Sequence, residues 1–311
     1  MEKFNIAPVL ELPGVGENFQ DHISVSVGAE LSGQHITAEN MQDPTFAEEQ
    51  LLLYRESKSG MLSSTPSTFV FIPAADFIPA DVLQGMIAAL DEALSAPLFK
   101  ESPWQSIYEM QRSWLKNNSV AQLEIVLFPA YETSEADHNE ASQHYSLMVF
   151  PQHCWNCGSV HLESSSGLDP PAIDYQILNS PGDFDLLLLV YAIRYAFKIM
   201  QTGSLGAETS RILEPLPTWT DDQLKDYVRK KVNSAWHPVG TASMLPLSNN
   251  GVVDENLKVD ASIIPVHVGT HPQATLYGIA HRAAQIIEAS DVPENKSAGE
   301  EDHGKGCCDI A

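Results

Sequence analysis

Segments in which hydrophobic and polar residues alternate recur along much of the chain, and this alternation is typical of β-strands with one covered face. In the clearest of them, residues 122–129, the side chains of Leu123, Ile125 and Leu127 share one side. Further strands are predicted at residues 67–73, 145–151 and 159–164. Residues 8–31 carry strand and turn signals, with a short strand from residue 8 that runs into a glycine turn.

Other segments repeat their apolar residues at helical spacing or consist of strong helix formers. Such helices are predicted at residues 34–59, 81–94, 102–117 and 220–231. The last of these starts at a capping box formed by Thr220 and Gln223. Residues 183–201 are apolar almost throughout, which predicts a helix in the core, and a final helix is predicted from Pro272 to residue 289. The strand pattern favours an antiparallel sheet covered on one side.

The composition restricts the class of protein. The 311 residues include 41 acidic and 17 basic side chains, so the formal net charge is −24. A surface this negative argues against binding to nucleic acid or to anionic membranes. The longest apolar run, residues 186–199, is interrupted by Arg194 and Lys198, so no transmembrane segment is predicted. With 43% hydrophobic residues, the chain is expected to be a soluble globular protein.

The two ends of the chain carry little information on localisation. The first residues lack the basic and then apolar pattern of a signal peptide, so export is not indicated and the localisation stays unassigned. Beyond Asp291 the sequence is too polar to pack, and residues 290–311 are predicted to form a disordered acidic tail.

Four cysteines occur as two close pairs, Cys154 with Cys157 and Cys307 with Cys308. A structural zinc site requires four ligands, and only one Cys-x-x-Cys pair lies in the part expected to fold. We therefore predict no metal site. Cys154 and Cys157 are interpreted as small buried or half-buried side chains in a strand or hairpin.

Three segments could carry chemistry: residues 12–22, 236–244 and 260–273. Gly14 and Gly16 form a poor phosphate loop, because the third glycine of the G-x-G-x-x-G pattern is absent, and a tight turn is the simpler interpretation. His237 and His271 each stand beside a proline in a glycine-containing turn, and His271 is expected at the cap of the last helix. Two such imidazoles could remove a hydroxyl proton while hydride leaves the adjacent carbon. A single histidine is more often structural than catalytic.

Six motifs occur in the order seen in the glucose-methanol-choline (GMC) family of flavin oxidoreductases, which the chain resembles from residue 8 to residue 289. They are residues 14–22, 158–164, 169–174, 236–241, 251–259 and 260–265. Residues 242–246 look like the fungal branch that contains aryl-alcohol oxidase and glucose dehydrogenase-like proteins.

The resemblance implies an α+β fold, with the antiparallel sheet and flanking helices of the GMC substrate-binding domain beside an incomplete α/β FAD-binding domain. It implies four parts. Residues 1–30 would be a remnant of the FAD-binding domain, and residues 31–232 the substrate-binding domain. Residues 233–289 would be the C-terminal part of the FAD-binding domain, with the catalytic histidines, and residues 290–311 the tail.

The resemblance also implies an FAD-dependent oxidoreductase that acts on the CH–OH group of a small alcohol or sugar-like donor. His237 matches the general base of the family, and His271 matches the second position, which holds the substrate oxygen. Asp260, Pro272 and Gln273 match positions against the flavin, and Asn18 and Asp21 lie in a motif that borders the FAD site. The alcohol, the electron acceptor and the oligomeric state are left unassigned.

Two departures from the family pattern keep other interpretations open. The chain shows no βαβ unit with a G-x-G-x-x-G loop, and Val259 runs directly into Asp260 where relatives have a further short segment ending in a strand. A non-redox relative, such as a secondary-metabolite cyclase with a structural flavin, is one alternative. An inactive fragment of a longer protein is the other.

Overall fold

A six-stranded sheet, with every strand pair antiparallel, lies at the centre of the computed structural model, which describes residues 2–65, 68–133, 142–253 and 261–290. The strands are β1 (Ile23–Leu31), β2 (Thr68–Ile72), β3 (Leu123–Phe128), β4 (His144–Pro151), β5 (Ser159–His161), β6 (Ala172–Asp174), β7 (Thr209–Glu214) and β8 (Asn233–Ser234). The sheet order is β2-β3-β4-β1-β7, β8 also pairs with β1, and β5 and β6 form a separate two-stranded sheet.

The described residues also form helices of very different lengths. They are α1 (Pro44–Ser57), α2 (Ala74–Phe77), α3 (Ala80–Leu94), α4 (Pro97–Lys100), α5 (Gln105–Leu115), α6 (Phe184–Met200), α7 (Gly203–Glu208), α8 (Asp221–Lys231) and α9 (Gln273–Ser290). The predicted α+β architecture, an antiparallel sheet flanked by helices, is therefore confirmed. None of the helices in the described residues is both long and apolar enough to cross a membrane.

The apolar helix α6 packs against one face of the sheet, as its composition predicts. The main hydrophobic core joins α6 to alternate residues of β1 and β4, among them Val25, Val27, Leu147 and Val149. Because β1 pairs with β4 in the register Val27↔Leu147, these side chains all project to the same face. The capping box at the start of α8 is confirmed, with the Thr220 amide donating to Gln223 Oε1 at 2.9 Å.

Three of the predicted elements are wrong in their extent. The strand expected at residues 159–164 ends at His161. The helix expected at residues 34–59 begins only at Pro44, because Asp43 accepts a hydrogen bond from the Thr45 amide at 2.8 Å and caps the helix there. The strand expected from residue 8 does not form; the first strand is β1, and Val9 before it is fully exposed. No neighbouring strand is available to Pro8 and the residues after it within the described part of the chain.

Several predictions fall outside the described residues. They concern Asp260, the junction between Val259 and Asp260, Cys307, Cys308 and the tail beyond residue 290. The division of the chain into four parts stays a prediction.

Candidate functional site

The turn that carries His237 is held by a buried carboxylate. Asp21 is 3% exposed, and its Oδ1 accepts the His237 amide hydrogen at 2.9 Å while its Oδ2 accepts the Ser234 hydroxyl. The intervening Trp236 adopts a left-handed backbone conformation with φ of 62°. Beyond the turn, Gln20 and Val239 exchange two backbone hydrogen bonds of 3.0 and 2.9 Å. These hydrogen bonds join residues 20–21 to residues 234–239. They thereby fix the position of the His237 backbone, from which the imidazole projects.

His237 and His271 are brought together, as the sequence predicts. Their ring centroids lie 4.9 Å apart with an interplanar angle of 72°. His271 lies two residues before α9, so the cap predicted for it belongs instead to Pro272, whose carbonyl accepts the Leu276 amide at 2.9 Å. The arrangement places two imidazole rings next to each other.

A buried carboxylate of the sheet orients His271. Glu124 of β3 is 2% exposed, and its Oε1 lies 2.9 Å from His271 Nε2. The other oxygen of Glu124 accepts a hydrogen bond of 3.0 Å from Nε2 of Gln152, which is completely buried. A carboxylate accepts hydrogen bonds only, so this contact requires a proton on Nε2 of His271. Neither Glu124 nor Gln152 was predicted from the sequence as a site residue.

His22 and His267 are two further histidines of the site that the sequence analysis missed. His22 Nδ1 lies 3.0 Å from His237 Nδ1, and its Nε2 lies 3.0 Å from the backbone oxygen of Gln152. The ring of His267 stacks on that of His22 with centroids 4.0 Å apart. His22 was already within the motif 14–22, but nothing in that motif shows that a turn some 215 residues away comes into contact with it.

Burial keeps this cluster neutral. Desolvation, together with the neighbouring His271, lowers the pKa of His237 to about 4. Burial, with His267 and His237 close by, lowers the pKa of His22 well below its ordinary value. Burial likewise lowers the pKa of His267 to about 3. Near neutral pH these imidazoles therefore have a free lone pair, which is the form a general base requires.

Asn18 and Asp21, which were predicted to border the cofactor, are bound within the protein. Asn18 is 2% exposed, and its amide donates to Ser243 Oγ at 2.9 Å and to the Pro265 carbonyl at 2.8 Å. Its Oδ1 accepts a hydrogen bond of 2.8 Å from Gln20. Both residues thus connect the segments that carry the histidines. Whether they also border a cofactor stays a prediction.

A cavity of about 630 Å³ lies between residues 238–241, which directly follow His237 in the chain, and the first turns of α9. Its walls are largely apolar and include Phe19, Val160, Pro238, Val239, Leu276 and Ile279. Gln273, predicted to lie against the flavin, also lines the cavity, whereas Pro272 before it is buried. Apolar walls next to the start of a helix suit a flat ring system with a polar, electron-rich edge, and a flavin ring has this chemistry.

The Cys154–Cys157 segment lies in a loop after β4, not in the strand or hairpin that was predicted. Cys154 is buried and Cys157 is partly buried, which confirms their predicted burial, and both are free thiols. Cys157 Sγ lies 3.3 Å from Asn18 Oδ1. Among the described residues, no group of three or more His, Cys, Asp or Glu side chains could hold a metal ion.

Comparison with known proteins identifies related sequences over most of the chain. The family model described as GMC oxidoreductase matches residues 156–280. A dehydrogenase of Armillaria gallica is 30% identical over 304 residues, which cover 93% of this chain and 46% of the relative. The chain spans about half the length of the curated relatives it matches first.

Solved structures share the fold. An FAD-dependent oxidoreductase from Chaetomium thermophilum superimposes with a TM-score of 0.77 at 23% identity, covering 93% of this chain and 51% of that one. A fungal aryl-alcohol oxidase gives a TM-score of 0.75 at 25% identity, covering 93% of this chain and 50% of that one. The predicted resemblance to the fungal branch of one flavin oxidoreductase family is thereby confirmed.

Proposed function

The chain belongs to the GMC oxidoreductase family, and on that premise we propose that it carries the site of an FAD-dependent oxidation of CH–OH groups in a small alcohol or sugar-like molecule. Members of the family are flavoproteins. The observation that supports the proposal best is the convergence of His237 and His271, with ring centroids 4.9 Å apart, beside an apolar cavity that suits a flavin ring.

In this proposal His237 accepts the proton of the substrate hydroxyl group. Its Nε2 makes no hydrogen bond to any residue in the part of the chain that the structure describes, so one lone pair is available to an incoming hydroxyl. The pKa of about 4 keeps the ring neutral at physiological pH, so that a proton does not already occupy its lone pair. Asp21 holds the His237 backbone, so the ring does not depend on substrate for its position.

His271 holds the oxygen from which the proton leaves. Glu124 fixes the His271 ring through Nε2, which leaves Nδ1 for the substrate oxygen; Nδ1 holds that oxygen as a hydrogen-bond donor, which requires a proton on Nδ1 as well. The side chain is 44% exposed, unlike that of Glu124 beneath it. The neighbouring ring of Phe69, with its centroid 5.7 Å away, adds an apolar surface beside the site.

When bound, FAD supplies the acceptor for the hydride of the alcohol carbon. Gln273 and the apolar walls of the cavity would hold its ring, with Pro272 shaping the start of α9. Asn18, Asp21 and Asp260 are proposed to border the cofactor as in the family. No metal takes part in this proposal.

The relatives favour redox chemistry over the cyclase alternative. Those named above are a dehydrogenase, an FAD-dependent oxidoreductase and an aryl-alcohol oxidase. No specific feature of the site favours a non-redox reaction.

The test is flavin reduction by the purified chain after incubation with FAD. We expect bound flavin, seen in its visible absorbance, to bleach on anaerobic addition of a primary aromatic alcohol or of glucose. His237→Gln should slow bleaching by about 10²–10⁴-fold, the usual contribution of a general base, while flavin stays bound. His281→Gln changes an exposed histidine of α9 and is the matched control.

Three results would contradict the proposal. One is a chain that binds no flavin. Another is bound flavin that neither alcohol reduces. The third is bleaching that His237→Gln leaves at the rate of the control, which would remove His237 from the role of base.

A further inference from the structure

We propose that His22 is a positioning residue that fixes the tautomer of His237, holding the proton of the neutral ring on Nδ1 and leaving the lone pair on Nε2. The catalytic meaning of this inference rests on the function proposed above. The tautomer itself follows from hydrogen bonding within the chain and can be measured without flavin or substrate.

A backbone carbonyl determines which nitrogen of His22 carries a proton. His22 Nε2 lies 3.0 Å from the oxygen of Gln152, and both residues are buried, with 1% and 0% of their surface exposed. A carbonyl oxygen has lone pairs and no hydrogen to donate. The contact is therefore a hydrogen bond only if Nε2 of His22 carries the proton.

The second step concerns the charge of His22. An imidazolium has protons on both nitrogens, and a neutral ring has one. His22 lies among His267, His237 and His153, and burial together with these neighbours disfavours a positive charge on it. A neutral His22 with its proton on Nε2 has a bare Nδ1.

The bare Nδ1 of His22 determines which nitrogen of His237 carries the proton. The two Nδ1 atoms lie 3.0 Å apart, which is hydrogen-bond distance, and a hydrogen bond needs one donor and one acceptor. Because Nδ1 of His22 is the acceptor, Nδ1 of His237 is the donor. Neutral His237 then has its lone pair on Nε2, the nitrogen that binds no residue in the described part of the chain.

The position of His22 suits this task. It lies immediately before β1, its ring stacks on His267 with centroids 4.0 Å apart, and it has only 1% of its surface exposed. Its ring meets that of His237 edge to face, with centroids 5.2 Å apart at 80°. An unconstrained neutral histidine in water prefers its proton on Nε2, the opposite of the form assigned here. The environment of His237 therefore has to impose the reactive form, and His22 supplies the acceptor that does so.

The test is the tautomer of His237 in the full chain labelled with ¹⁵N-histidine, read from two-bond ¹H–¹⁵N correlation spectra. Protonated and bare ring nitrogens differ strongly in ¹⁵N shift, and His237→Gln identifies the His237 signals by their loss. In the wild-type chain near neutral pH we expect the protonated nitrogen to be Nδ1.

Two variants of His22 separate its hydrogen-bond acceptor from its shape. His22→Phe keeps a ring that can stack on His267 but removes the acceptor, and we expect His237 to move its proton to Nε2. His22→Asn loses the ring but can place Oδ1 close to the position of Nδ1, and we expect His237 to keep its proton on Nδ1. Circular dichroism and thermal unfolding confirm that each variant is folded.

The proposal is overturned if wild-type His237 has its proton on Nε2. It is also overturned if folded His22→Phe keeps the wild-type tautomer, or if His22→Asn loses it as His22→Phe does. Should His22→Phe not fold, the wild-type tautomer still decides. An Nδ1 proton on His237 in a chain whose flavin no alcohol reduces would leave this inference intact and reject the function proposed above.

Discussion

The two faces of the central sheet differ in chemistry although the same strands build both. On one face, residues such as Val27 and Leu147 pack beneath α6 in the main hydrophobic core. On the other, Glu124 and Gln152 are equally buried but polar, and both oxygens of Glu124 accept hydrogen bonds, one from Gln152 and one from His271. Contacts between apolar side chains stabilise the first face. The second face depends on hydrogen bonds made by His22, His237 and His271.

Burial therefore has different consequences on the two faces. Removing apolar atoms from the core face leaves a cavity, whose cost is paid in the free energy of unfolding. On the polar face, burial sets protonation states instead, and these decide which atom can accept a proton. Substitutions on each face can test that division.

Adjacent residues of β4 give the most direct test, because they point to opposite faces. Leu147 is 2% exposed in the core and pairs with Val27, whereas Met148 is partly exposed and pairs with Ser26. Leu147→Ala should lower the free energy of unfolding by about 2–5 kcal/mol. Met148→Ala is the matched control and should lower it by less than half as much. Urea denaturation measures both, and equal losses would show that the two faces contribute alike.

The core side also contains one buried carboxylate, and it sharpens the comparison. Asp185 in the first turn of α6 is completely buried and accepts the Trp155 amide hydrogen at 3.1 and 3.0 Å with its two oxygens. Burial raises the pKa of Asp185 to about 7. As the pH rises from about 4 towards 7, the unfolded chain loses this proton while the folded chain keeps it. The stability contribution of Asp185 therefore falls over that range.

Asp185→Asn should remove this pH dependence. Between about pH 4.5 and pH 7.5, we expect the stability of the wild type relative to the variant to fall by about 2–3 kcal/mol. Asp222→Asn, at a residue whose side chain is 90% exposed, is the control and should show no such change. Urea unfolding at several pH values provides the measurement. A wild-type advantage that stays constant with pH would show that Asp185 is charged in the folded chain.

The core face was predictable from sequence because alternation depends on neighbours only. Leu123, Ile125 and Leu127 were assigned to one side of a strand, and the fold places Leu123 and Ile125 in the core with Leu127 packed against it. The helix over residues 183–201 was likewise correct to within one residue at each end. Periodicity is a local property, so a single segment contains it.

The polar face was only partly predictable, because its contacts join segments far apart in the chain. His237 and His271 came from their motifs, and the fold brings them together. Glu124 looked like an ordinary polar residue on the solvent side of a strand. It is buried, and one of its contacts is with His271, 147 residues later. His22 stayed unassigned for the same reason, since its partners are residues 152 and 237.

The smallest expected effect concerns His267, whose titration has the opposite sign to that of Asp185. His267 is 1% exposed, and neither ring nitrogen has a hydrogen-bond partner among the described residues. Burial lowers the pKa of His267 to about 3. Below about pH 6.5 the unfolded chain therefore binds a proton at His267, whereas the folded chain does not. His267 therefore destabilises the fold as the pH falls through 6.5.

His267→Phe preserves a ring against His22 and removes this titration. Relative to the wild type, it should gain about 1–2 kcal/mol between pH 8 and pH 5.5 in urea unfolding, whereas His281→Phe, at an exposed position, should gain nothing. An equal difference at both pH values would mean that His267 accepts its proton inside the folded chain, and the polar face would then not hold its histidines neutral by burial.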